Sequence, residues 1–448
     1  MKQSAAPSKL SFVASYLVVA ILVILPFHAL LTTWAGSNLG NFELMRVIKE
    51  LIMVPLGIYA AVLVWQTKAL RQQWLHSWLV GCIMAYTLLF FSFAAIVLLR
   101  HSVAPTAVYY SLITNLRFVW WLLIVWVISS TNSLLQRNWP KIVLIPASLA
   151  VAFGLLQKFL LPADFLRHFG YGPNTIQAVE TVDQKLGYRR IQGAVRGANP
   201  FGAYLIVVLT TAVAYVRKWR YLWWLIIPGL VVLFFTYSRS AWLGLIVSLL
   251  FLGWQMLPNQ KLKRSLVVVS LVAAIFLVGA TWVLRNNNQV QNTLFHSDRQ
   301  SRSVSSSNAQ RASALQKGWQ DIQNQPLGRG PGTAGPASAH NTAPARIAEN
   351  YFLQVGQEVG VLGVGLFIAI NLLVVQTLWR QTTPLSRVLL ASLAGITLVN
   401  MLSHAWADDT LSLLWWGLAG IALSAPVILK TKHEQKTNTQ KKATARTS

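Results

Sequence analysis

The sequence is poor in the residues that most soluble catalysts and metal proteins rely on. Its 448 residues include one cysteine and only 12 acidic side chains. A single cysteine excludes an internal disulfide, and Cys82 lies within an apolar run, where packing is the ordinary role. His296, His340, His404 and the aspartates show no metal-ligand spacing of the His-x3-His type, so neither a metal nor another cofactor is expected. The glycine-rich stretch "QPLGRGPGTAGPASAHN" lacks the lysine and the spacing of a phosphate-binding P-loop. Its glycines and prolines still oppose regular structure and let the backbone approach a ligand closely. Charge is scarce overall: 11% of residues are charged, against 54% hydrophobic with 19 tryptophans. That balance excludes an ordinary soluble domain.

What is present is a series of long apolar runs. A bilayer core needs roughly 20 mostly apolar residues per helix. Runs of that kind fall at 11–34, 46–66, 76–99, 111–130, 142–161, 200–216, 221–236, 240–257, 265–284, 352–378, 387–403 and 411–429. The chain therefore reads as an all-α integral membrane protein with about 12 transmembrane helices, one polytopic domain over 1–429 and a disordered basic tail over 430–448. The first run is too long for a signal peptide and has no small-residue cleavage site before a polar domain.

Basic residues set the expected orientation. With the N-terminus inside, Lys68 and Arg71, Arg137 and Lys141, "RKWR", "KLKR", and Arg380 with Arg387 all fall in the even-to-odd connections. The positive-inside rule then makes both termini cytoplasmic. The tail "KTKHEQKTNTQKKATARTS" reads as an anchor against anionic lipid, with no nucleic-acid partner expected. The cations left outside or within the membrane are mostly arginines, among them Arg46, Arg100, Arg117, Arg196, Arg239 and Arg311. Guanidinium forks match phosphate oxygens two at a time, so this face suits an anionic ligand. Long outer loops that escape the charge rule and happen to be basic are the plainer alternative.

Two expected extracytoplasmic loops are long, 162–199 and 285–351. Loops of that length are usually functional or disordered. The first ends in Arg196-Gly197-Ala198-Asn199-Pro200, where Asn199 can cap the next helix and leave an anion site at its N-terminus. In the second, Ala312, Leu315, Trp319 and Ile322 recur at helical spacing and predict an amphipathic helix lying on the membrane surface. Between two spans, "FFTYSRSAWLG" predicts a tight reversal that holds Arg239 close to the hydrocarbon, where ionisable groups are functional candidates. Arg117 is a comparable case, or an arginine snorkelling to the interface.

The order of "RGANPFGAYL", "TYSRSAWLGL", "QPLGRGPGT" and "LQVGQEVGVLGVGLF", with the late "HAWADDTLSLLWWGLAG", resembles the O-antigen ligase and O-antigen polymerase superfamily over roughly residues 190 to 425. The resemblance implies a metal-independent glycosyltransferase of the bacterial cytoplasmic membrane. It implies an undecaprenyl-diphosphate-linked glycan as donor, a hydroxyl on a glycan, lipid or other molecule as acceptor, and membrane lipids as surroundings. It assigns Arg239, with Arg196 and Arg311 in support, to the diphosphate. The family's proposed base is a histidine in a His-Asn pair about eleven residues before the glycine that is Gly360 in "EVGVLG". Here Glu349-Asn350 stands at that distance, and His340-Asn341 lies twenty residues upstream of the glycine.

Glu349 and His340 are thus the two candidate bases, with Glu349 replacing the family's histidine. Glu349 could instead be a charge favouring the first turn of the next span, and His340 an ordinary loop histidine. Asn350, His404 and Asp408 are expected in support, and "SHAWADDT" could equally keep a short loop wet. The replacement tilts the reading towards a polymerase, or a ligase with an acceptor other than lipid A. A transporter or flippase of lipid-linked or other anionic substrates is the rival class. It is disfavoured because no repeated halves appear and the charges gather in loops.

Overall fold

The computed structural model describes residues 9–182, 185–284 and 307–424. The predicted basic tail, the end of the twelfth run and the first part of the second long loop lie outside these residues. Helices carry the described chain. They are α1 (Lys9–Ile24), α2 (His28–Leu39), α3 (Phe42–Gln66), α4 (Lys68–Leu75), α5 (Trp78–Leu99), α6 (Pro105–Ser129) and α7 (Leu134–Phe159) in the first half. A hairpin of β1 (Glu180–Val182) and β2 (Lys185–Arg190) follows, then α8 (Ala198–Tyr215), α9 (Trp223–Phe235), α10 (Arg239–Met256) and α11 (Gln260–Val283). Beyond these come α12 (Ser307–Asn324), α13 (Tyr351–Gln381), α14 (Pro384–Leu402) and a last helix, α15, over 409–424.

Among the described residues ten helical segments are long and apolar enough to span a bilayer, against the twelve runs expected. The difference has two causes. The 221–236 run forms a shorter apolar helix, Arg220–Phe235, broken near its start by a 3-10 turn, and the 411–429 run is described only to residue 424. Proline at the N-terminal side of α2 turns the first span into two helical pieces, Lys9–Ile24 and His28–Leu39, joined through Leu25–Phe27.

The interior is built where small residues let helices meet. Gly244 of α10 faces Gly395 of α14, and a Cβ on Gly244 would lie 3.0 Å from the Gly395 carbonyl oxygen. Such close approach replaces the missing hydrophobic drive between helices in lipid with dense packing. Tryptophan fills the adjoining core: Trp121, Trp406, Trp415 and Trp416 are buried, and Trp121 and Trp415 donate their indole N–H groups to Leu413 O (3.0 Å) and Ser392 Oγ (3.1 Å).

Helix α13 is kinked at Val359 and at Gly360, whose φ is +70°. A kink frees backbone groups that must find partners in an apolar setting. The glycine-rich run supplies them: Arg329 N donates to Gln357 O (2.9 Å), Gly330 N to Glu358 O (2.7 Å) and Val361 N to Pro326 O (2.9 Å). A Cβ on Gly328 would lie 2.5 Å from Gly360 N, so that glycine serves the close approach of two backbones. The first part of the run thus packs on α13, while its later residues Pro336, Ala337 and His340 line a cleft. The Glu358 side chain completes the joint, accepting from Ser111 Oγ (2.8 Å), Asn115 Nδ2 (2.9 Å) and Gly332 N (2.8 Å) while fully buried. Glu358→Ala strands these donors, and a cost of ~3–5 kcal/mol is expected. Thermal unfolding in detergent should show a large loss for alanine and a smaller one for Glu358→Gln, which keeps an acceptor oxygen.

Candidate active site

The predicted amphipathic helix is α12, but it is not a free surface helix. Ile322 is buried against Gly356 of α13, Gly318 faces Ala348 and Leu353, and Trp319 remains exposed. That docking sets Arg311, on the first half of α12, beside the segment that leads into α13. There Arg311 Nε lies 2.6 Å from Glu349 Oε2.

Glu349 is held in place from both sides. Its backbone is left-handed, with φ +49°. For a residue with a Cβ this costs about 1 kcal/mol and persists only where the surroundings enforce it. The following residue, Asn350, is the helix cap: its Oδ1 accepts from Leu353 N (3.0 Å) and its Nδ2 donates to Met401 O (3.0 Å). Capping of the span therefore belongs to Asn350, and Glu349 is left to Arg311.

The first long loop positions a second arginine. Gly197, not Asn199, is the N-cap of α8, and Asn199 lies within the first turn. The expected anion site at this N-terminus is filled from within the chain: both Glu180 carboxylate oxygens lie 3.3 Å from Ala198 N, within reach of its N–H. Arg190 pairs with Glu180 (3.6 Å), donates through Nε to Thr236 O (2.7 Å), and donates to Asn199 Oδ1 at 2.5 Å. Burial raises the Glu180 carboxyl above its usual range, opposed by Arg190, and burial lowers the Arg190 guanidinium. The hairpin thus ties the start of α8 to the reversal at Tyr237-Ser238. Arg196, just before the cap, is exposed and has no carboxylate within ion-pair distance among the described residues.

These pieces surround a cleft of about 350 Å³. Six of the expected site residues line it: Arg196, Arg311, His340, Glu349, His404 and Asp408. Arg239 and Asn350 are not among its lining residues; Arg239 heads α10 after the reversal, and Asn350 serves as the cap just described. His340 stacks on Tyr110 at 4.1 Å between ring centroids, and the Arg46 guanidinium lies 4.6 Å from the same ring. Its neighbour Asn341 is structural, its Oδ1 accepting from Ala104 N (3.2 Å) and Thr342 N (2.9 Å). The cleft therefore holds both candidate bases.

Four of its nine Asp, Glu, Lys and Arg side chains come from α3 and α15, and of these Lys49 and Glu50 were not anticipated in the site. Helix α3 brings Arg46, Lys49 and Glu50, and the start of α15 brings Asp409. Lys49 Nζ lies 2.8 Å from Asp409 Oδ2 and 3.2 Å from Glu50 Oε2, and Arg117 NH1 lies 3.2 Å from Glu50 Oε1. Arg117 NH2 also donates to Ala407 O at 3.0 Å, so it is a paired member of the cleft wall and not a snorkelling arginine. The visible signal was three charges at i, i+3 and i+4 inside an apolar run, which lie on one helix face and are expensive there unless used. With Lys49, Arg117 and Arg311 paired, and Arg46 3.7 Å from exposed Glu43, Arg196 is the cation best placed to meet an incoming anion.

The 403–408 loop closes the cleft. His404 Nδ1 is buried without a hydrogen-bond partner; burial lowers the imidazole below its usual range, and the nearby Glu349 charge opposes this. Burial, with the neighbouring Asp409 carboxylate, pushes Asp408 up to about 6. An acid whose folded value is raised stabilises the fold at low pH and loses that contribution as pH rises through the folded value. Asp408→Asn, which keeps the oxygen that accepts from Leu411 N (3.2 Å), should remove this term. Between about pH 4 and 6 the wild-type melting temperature should fall relative to that of the variant. Parallel curves would show that Asp408 does not titrate there.

Among the described residues no group of three His, Cys, Asp or Glu side chains is arranged to hold a metal ion. What the cleft offers is cations for an oxyanion and carboxylate or imidazole groups for a proton. No curated protein matches the chain. Residues 224–368 match the family model Wzy_C, described as O-antigen ligase, a stretch that contains Arg239, Arg311, His340, Glu349 and the Glu358 joint. The chain is a multi-pass membrane protein that carries an O-antigen ligase domain of the Wzy_C family.

Proposed function

We propose that the cleft transfers a glycan from an undecaprenyl-diphosphate donor to an acceptor hydroxyl at the outer face of the cytoplasmic membrane. The observation that carries this reading is the pairing of an unengaged arginine, Arg196, with an arginine–carboxylate couple, Arg311–Glu349, in one cleft. The family match supports glycan transfer of the ligase or polymerase type on a lipid-linked substrate. The basic short connections support cytoplasmic termini, which leaves the 162–199 and 285–351 loops outside.

In this reading Arg196 takes the diphosphate, with Arg46 beside it. Arg311 then exchanges the Glu349 carboxylate for a phosphate oxygen, as a guanidinium fork can do without changing its charge. The exchange releases Glu349 beside the acceptor. The acceptor oxygen attacks the anomeric carbon from the face opposite the diphosphate, and its proton passes to Glu349. The bond from that carbon to the diphosphate oxygen breaks, and its electron pair leaves with the carrier. His340 is the second group able to take the proton, and His404 and Asp408 hold the acceptor. Asn350 fixes Glu349 through the helix cap. Arg239 acts from the reversal that Arg190 ties to Asn199, as a more distant contributor to the diphosphate charge.

Purified protein given a synthetic undecaprenyl-diphosphate glycan tests the proposal. A ladder of lengthening carrier-linked products means polymerase, and a single transfer to an added acceptor means ligase. If donor crosses the bilayer of a proteoliposome and no carrier is released with any acceptor, the transport reading replaces it.

A further inference from the structure

A second cleft lies on the other side of the segment that carries His340. Its volume is about 500 Å³, and its walls divide by chemistry. Phe93, Ile96, Val97 and Val103 form an apolar side at the end of α5, and Arg100, Arg329 and Arg346 form a cationic one. The two clefts share a wall. Ala337 and His340 of the 3-10 turn Pro336–His340 line the first, while Ser338 of that turn and its C-cap Asn341 line the second.

The cations exceed their partners. Asp321 lies 2.9 Å from Arg329 and 3.9 Å from Arg346, and it is the one carboxylate within ion-pair distance of either among the described residues. Arg100 is exposed, has no such partner among them, and is the C-cap of the span Trp78–Leu99. A residue closing a 22-residue apolar span stands at headgroup level. Ile96, one turn earlier on the same helix, is 43% exposed and continues the apolar side outward.

We infer that this second cleft binds a membrane lipid with an anionic phosphate headgroup, the phosphate on Arg100 and Arg346 and the chain along Phe93 and Ile96 of α5. Arg329, partly neutralised by Asp321, orients the headgroup without supplying the whole charge. Complementary charge above and apolar surface below are what such a lipid needs, and a soluble phosphate would leave the apolar wall unused. Because the occupied turn is also the one that holds His340, the lipid would brace the wall of the first cleft. The inference concerns binding and does not depend on the transfer reaction.

Native mass spectrometry of the full chain tests it. Protein released from detergent with phosphatidylglycerol, phosphatidylcholine or undecaprenyl phosphate is compared with Arg100→Ala and with Arg100→Ala/Arg346→Ala. Wild type should retain an anionic lipid in preference to phosphatidylcholine, and affinity should fall roughly tenfold per arginine removed. Preference for undecaprenyl phosphate would identify a carrier-lipid site, and preference for phosphatidylglycerol a structural phospholipid; either supports the inference. Equal retention of phosphatidylcholine, or undiminished retention by the double variant, overturns it. Both arginines are partly or fully exposed, and an unchanged melting temperature for each variant separates lost lipid from lost fold.

Discussion

Glu349→Gln should lower the rate of glycan transfer by roughly 10²–10⁴-fold, the usual contribution of a positioned general base. Glutamine keeps the size of the side chain and an oxygen for Arg311, but cannot take the acceptor's proton. The loss should fall on kcat, because the diphosphate is held by other groups. Donor binding should be as tight as in wild type or tighter, since Arg311 is no longer held at 2.6 Å by a carboxylate charge. His340→Ala should retain partial activity, because the ring stacked on Tyr110 is the second proton acceptor in this reading. Full activity in Glu349→Gln with loss in His340→Ala would exchange the two roles. Initial rates and donor affinity, measured on the same preparations, decide between these outcomes.

Arg196→Ala should cost roughly 10²–10³-fold in kcat/KM, comparable with removing one preorganised donor to a developing oxyanion. The reason is specific to its surroundings. Lys49 and Arg117 are committed to Asp409 and Glu50, and Arg311 to Glu349, so no other cation in the cleft is equally ready for a diphosphate. Arg196→Lys should recover only part of the loss, because an ammonium cannot hold two phosphate oxygens in one plane. The fold should tolerate either change, given that Arg196 is exposed and ahead of the Gly197 cap. A lysine variant with full activity would mean that the position supplies only charge.

Much of the membrane architecture was legible because it depends on local pattern. Apolar runs of bilayer length are visible one at a time, and the spacing of Ala312, Leu315, Trp319 and Ile322 marks α12 without knowledge of its neighbours. The 221–236 run shows the limit of that rule, since its first turn is 3-10 and the helix proper is short. Six of the expected site residues line one cleft; they stand at the ends of loops and spans, and for Glu349 and His340 the spacing to Gly360 could be counted. That glycine proves to be the kink of α13.

What was hidden depends on residues far apart in the chain. Lys49 meets Asp409 across 360 positions, and no periodicity connects them. Asn199 has the composition of a cap, yet Glu180 takes the helix N-terminus because a hairpin brings it there. The glycine run has the composition of a ligand loop and does line two clefts, but its backbone bonds to the kink of α13 could not be read from composition. At Asn199 a local preference yields to a tertiary partner with more to gain.

In the proposed reaction Arg196 holds a diphosphate while Glu349 takes a proton in the same cleft. Single-turnover release of undecaprenyl diphosphate from a bound glycan donor separates the two roles when run with wild type, Arg196→Ala and Glu349→Gln. Wild type should show acceptor-dependent release, Arg196→Ala weakened donor binding with slow release, and Glu349→Gln undiminished donor binding with almost no release. Release by both variants at the wild-type rate, or equal loss of donor binding in both, would contradict it.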